Sequence, residues 1–80
     1  MIRWSQLEAA IPLDQLPTFH RAFLNLNRPE LKADQLPLRR VQQYVSQTLH
    51  SLVQQGQAKQ QEEEFWLEPD VIPEAYRSLD

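Results

Sequence analysis

The stretch Leu38–Gly56, LRRVQQYVSQTLHSLVQQG, decides how this chain is read. Leu38, Val41, Tyr44, Val45, Leu49, Leu52 and Val53 recur at the spacing of one helical face. The opposite face carries Arg39, Gln43, Ser46, Gln47, His50 and Gln54. No Gly or Pro interrupts residues 38–55. Gly56 stands where a helix turns into the left-handed conformation that only glycine adopts without strain. A long amphipathic helix closed by Gly56 follows.

Downstream, Ala58–Gln61 and Glu64–Glu68 alternate as two strands of a hairpin, with Phe65 and Leu67 on one face and Trp66 on the other. The turn between them lacks the Asn-Gly or Asp-Gly pair that favours a tight hairpin. Pro69 ends the second strand. Beyond it, Pro73 suits the first position of a last helical turn, with Ile72, Ala75, Tyr76 and Leu79 set to lie against the body.

The run YVSQTLHSLVQQGQAKQQEEEFWLEP resembles the second half of a winged helix-turn-helix domain. Its helix carries Val45, Leu49 and Leu52 ahead of Gly56, then a hairpin whose second strand holds Phe65-Trp66-Leu67. LKADQLP looks like the lead-in to that family's second helix. The resemblance covers roughly residues 14–69 and implies a helical body with a C-terminal hairpin. It also implies a DNA-binding regulator that reads with the helix 39–54. The family's second and third helices are separated by a turn, but no glycine between Leu36 and Val45 provides one. Continuous apolar phasing favours one unbroken helix over about residues 35–55.

The tetrapeptide DQLP occurs at residues 14–17 and again at 34–37. In both copies Asp is placed as an N-cap, Leu as the first buried residue and Pro in the first turn, where its missing N–H costs nothing. The first copy opens a helix over 14–27 with Leu16, Phe19, Phe23 and Leu26 on one stripe. Ahead of it, Ser5 and Glu8 have the spacing of a capping box for a helix over 5–11 that sets Trp4, Leu7 and Ile11 on one face. Residues 28–33 form a connection in which Leu31 can add a very short strand. Together these elements predict an α-rich α+β fold: a small bundle of about three helices (5–11, 14–27, 35–55), a hairpin at 58–68 and a tail at 69–80. Residues 1–80 are read as one winged-helix-like domain.

Composition limits the chemistry. The absence of Cys excludes disulfides, thiolate catalysis and Cys-ligated metal. One Gly in 80 residues argues against a phosphate-cradling loop. No segment has the ~18 apolar residues of a membrane span, and the N-terminus lacks a signal-peptide core, so the expectation is cytoplasmic. Ser46 and His50 share a helix face, but no acid is spaced to orient the imidazole. His20 and His50 without Cys do not make a zinc site. Glu62–Glu64 reads as a solvated turn. No catalytic residue, cofactor, metal or small-molecule substrate is expected.

The charge is −3 overall but uneven. Residues 18–61 carry six cationic side chains against two acids, and the remainder two against nine. The leading expectation is a non-enzymatic interaction or regulatory module that binds a protein partner or self-associates, with Trp4, Leu24 and Trp66 as an exposed apolar patch. The alternative is DNA binding. Arg39, Arg40, Gln43, Gln47 and His50 would face the major groove, and Arg21, Arg28 and Lys32 the phosphates.

Overall fold

The computed structural model describes residues 1–79, leaving aside the side chain of Leu79. The expected packing of Leu79 therefore lies outside the described side chains. The elements run β1 (Ile2–Arg3), α1 (Trp4–Ala9), α2 (Leu16–Asn27), α3 (Leu38–Gln54), β2 (Ala58–Gln61) and β3 (Glu64–Leu67). Short 3-10 turns occupy 13–15, 29–31, 33–35, 69–71 and 74–79. The fold is α-rich α+β, its helices followed by a small antiparallel sheet. That layout is compatible with a winged helix.

α3 is one unbroken helix, and its end is built as its sequence requires. Gly56 has φ +80°. Its N–H donates to the Val53 carbonyl at 3.1 Å, and the Gln57 N–H reaches back to Leu52 at 3.0 Å. This reciprocal pair satisfies the carbonyls that a helix end leaves free. The turn that separates α3 from α2 lies upstream, at residues 28–37, so LKADQLP leads into the third helix rather than the second.

The two DQLP copies diverge. In the first, Leu16 is helical and Pro17 sits in the first turn of α2, as expected. Asp14 makes no capping hydrogen bond; a 3-10 turn precedes the helix instead. In the second, Leu36 and Pro37 are extended (ψ 144° and 155°), and α3 starts only at Leu38. Proline disfavours helical geometry in the residue before it. Arg21 then holds the extended form: its guanidinium donates to the Ala33 carbonyl at 3.3 Å and to Leu36 at 2.9 Å. Asp34 does not cap α3 and accepts from the Asn25 amide at 3.3 Å. The capping box at Ser5 and Glu8 is also absent, because both side chains are engaged across the fold. Leu31 lies in a 3-10 turn, not a strand, and Leu26 is 46% exposed rather than part of the buried stripe.

The sheet order is β1-β3-β2. The two-residue β1, which sequence reading missed, pairs Ile2 with Leu67 and Arg3 with Trp66. Ala58 also pairs with Leu67, and Lys59 with Trp66. Ile2, Leu67 and Ala58 form a buried row toward the helices. Arg3, Trp66 and Lys59 form the row on the outer face. Behind the sheet, Trp4 packs on Phe23 and Phe19 with ring centroids 4.8 and 5.2 Å away. The tail closes the far side of α2. Val71 and Ile72 are buried, the Asn27 amide donates to the Val71 carbonyl at 2.8 Å, and Tyr76 meets Phe19 edge-on at 4.8 Å. Ala75, expected against the body, is exposed.

Two local violations of residue preference give stability predictions. The hairpin turn places Glu62 and Glu63 at φ 54° and 64° between the paired Gln61 and Glu64. A two-residue loop with both φ values positive is a type I′ turn, which favours Asn-Gly. Replacing Glu62→Asn together with Glu63→Gly should stabilise the fold by roughly 1 kcal/mol, read as a higher urea midpoint. Thr48 is 1% exposed, and its hydroxyl has no hydrogen-bond partner among the described residues. Thr48→Val keeps the shape and removes the orphan hydroxyl, so a gain of about 1 kcal/mol is expected. Lost stability in Thr48→Val would show that the hydroxyl is satisfied.

Candidate functional site: the exposed face of the long helix

The buried side of α3 holds Val41, Val45, Thr48, Leu49 and Leu52. Its period of 3.6 residues therefore turns Arg39, Gln43, Gln47 and His50 together into solvent, with Arg40 beside them. All five are exposed. The residues expected to form one face do so.

The start of α3 is the electrostatic centre of this face. Its N-cap is Pro37, which offers no capping hydrogen bond, and no acid lies in the first turn. The free first-turn amides and the positive end of the helix dipole favour an anion there. The chain instead places Arg39 and Arg40. Each cation at a helix N-terminus costs about 0.3–1 kcal/mol, so helix stability does not account for this placement. From Gln35 to Gln61 the sequence contains no carboxylate.

The other expected cations divide. Arg21 is spent on the Ala33 and Leu36 carbonyls and is not a free phosphate contact. Arg28 pairs with Glu30 at 2.6 Å, which lowers the Glu30 pKa chiefly through that hydrogen bond. Lys32 is exposed, in the left-handed region at φ 52° between two 3-10 turns. At the far end of the face, His50 Nδ1 lies 2.9 Å from the Ser46 backbone carbonyl. A carbonyl only accepts, so Nδ1 carries the proton. The ring meets Phe65 edge-on at 5.2 Å, placing the hairpin beside this end of α3.

The apolar patch does not form. Trp4 is 6% exposed and Leu24 0%, both inside the core. Leu24 lies off the main stripe of α2, but in a bundle this small the second face of the helix is covered as well. Only Trp66 reaches the surface, half-buried, with the Arg3 guanidinium 5.6 Å from its ring centre. Among the described residues no three His, Asp or Glu side chains are grouped to hold a metal, and no helix is long and apolar enough to cross a membrane. Protein-family models, curated proteins and solved structures provide no match to this chain.

Two tertiary pairs had no signal in the sequence because their partners are far apart. One joins His20 to Glu8. The other joins Ser5 to Glu64 across 59 positions: the Ser5 hydroxyl donates to Glu64 Oε2 at 2.6 Å and its N–H to Oε1 at 3.1 Å. These bonds, the hydroxyl's first, hold the Glu64 carboxyl below the ordinary glutamate range. The folded pKa therefore lies below the unfolded one. The contribution to stability is present above the unfolded pKa and is lost as pH falls through the folded pKa. Ser5→Ala should raise the Glu64 pKa in a carbon-detected NMR titration; an unchanged titration would remove Ser5 as the cause.

Proposed function

We propose that this chain is a non-enzymatic, winged-helix-like module that binds duplex DNA through the exposed face of α3. The observation that carries this reading is Arg39 and Arg40, both exposed at an uncapped helix N-terminus within a carboxylate-free segment. Phosphate is the anion that such an end accepts best, through free amides, dipole and guanidinium together. Gln43 and Gln47, one and two turns further on, have side chains able to pair with adenine edges. Lys32 supplements the charge.

A second reading is an acidic protein partner on the same face, or a second copy of this chain. Glu62 and Glu63, three and two residues from Phe65 at the His50 end, would repel phosphates and acidic proteins alike, so within this reading they favour a second copy, whose arginines they would meet. Salt separates the two readings. Displacing counterions from DNA makes binding fall steeply with salt, by nearly one power of salt per neutralised phosphate.

In a low-salt gel-shift titration, the protein should bind random duplex at micromolar concentration. Arg39→Glu together with Arg40→Glu should abolish that binding while leaving the fold as stable or up to about 1 kcal/mol more stable, because acids suit the helix N-terminus. No retarded band at micromolar protein overturns the DNA reading. Retention of binding by the double variant moves the contact off α3.

A further inference from the structure

α1, α2 and α3 line an open groove of about 330 Å³ that borders the face described above at Ser46. Its size is at the small end of the range for ligand sites. Trp4, Val45 and Leu49 form its apolar wall. Glu8 and His20 stand along one edge, and Gln42 and Ser46 along the other. His20 is 8% exposed and stacks on Trp4 at 6.0 Å. Its Nε2 lies 2.7 Å from Glu8 Oε2. Glu8 Oε1 has no hydrogen-bond partner among the described residues.

The charge at the groove selects the occupant. Glu8 is its one carboxylate, and no Lys or Arg lines it. An anionic ligand would meet the Glu8 carboxylate with no Lys or Arg beside it, whereas a cation would be attracted to it. The apolar wall requires a carbon body behind that charge. We propose that the groove binds a small organic amine, with its ammonium at Glu8 and a flat apolar body against Trp4, Val45 and Leu49. The amide of Gln42 and the hydroxyl of Ser46 then contact the ligand's outer edge. The test of this proposal does not use DNA, although Ser46 on the groove rim belongs to the polar face of α3 and its carbonyl meets His50.

The test uses the full chain and three probes of similar shape: benzylamine, benzyl alcohol and phenylacetate. Benzylamine at millimolar concentration should raise the melting temperature and move the amide NMR signals of Gln42, Ser46 and Leu49. The neutral and anionic probes should do neither. Glu8→Gln should weaken benzylamine at least about tenfold, the loss expected for a hydrogen bond to a charged group. Ser46→Trp, at an exposed position on the rim, should fill the groove and abolish the response without depending on the Glu8–His20 pair. Equal responses to all three probes, or none to benzylamine, overturn the proposal. A response that survives Ser46→Trp places the amine elsewhere and also overturns it.

Discussion

Trp4 is the side chain on which the rest of the structure depends. It is the first residue of α1, directly after β1, and its indole is wedged against Phe19, His20 and Phe23 of α2. Truncating a buried Trp costs about 3–5 kcal/mol, a large share of the roughly 5–10 kcal/mol that holds a domain of this size. Burial of Trp4 also explains β1. Two residues cannot sustain a strand on their own. Anchoring the next residue in the core brings Ile2 and Arg3 beside β3, where Ile2 completes the buried row with Leu67. The sheet thus gains its third strand from a side chain that is not in it.

What could be read from the sequence was what depends on neighbours in the chain. The apolar period of α3, its closure at Gly56, the hairpin and the exposure of Arg39, Arg40, Gln43, Gln47 and His50 all follow from spacing within a few residues. Features set by distant partners were not legible. Ser5 and Glu8 have the spacing of a capping box, yet Glu64 and His20 take their hydrogen-bonding groups. Leu24 sits off the main stripe of its helix, and an amphipathic reading places it in water. In so small a body α2 is enclosed on more than one side, and Leu24 is fully buried.

The repeated tetrapeptide isolates the same point with the local sequence held constant. Both copies contain Leu before Pro, a pairing that favours extended backbone at Leu. At Leu16 the preceding 3-10 turn feeds directly into α2, and the preference is overridden. At Leu36 the Arg21 guanidinium binds the carbonyls on either side of the turn, and the preference prevails. A 3-10 turn precedes the Leu-Pro pair in both copies, and the Arg21 contacts distinguish the second, where α3 begins only after Pro37. Those contacts engage Arg21, half-buried, so a residue counted by sequence among the phosphate contacts is instead tied to the backbone ahead of α3.

Natural sequences break local rules mainly where something other than folding is being served. Among the charged places where this chain does so are cations at the positive end of α3 and glutamates in a turn that favours Asn-Gly. They are opposite in sign, and their separation determines whether they conflict. Arg39 and His50 are eleven residues apart on one helix, about 16 Å at 1.5 Å per residue. The hairpin meets the face at the His50 end, through Phe65. That spacing is about twice the ~8 Å over which exposed charges act at physiological salt. Glutamates in the hairpin oppose any polyanion laid lengthwise down α3 to its His50 end. On the proposed reading, a duplex centred on Arg39 and Arg40 near the start of α3 leaves the hairpin aside, and Gln43, one turn on, is the nearest Gln to the bases.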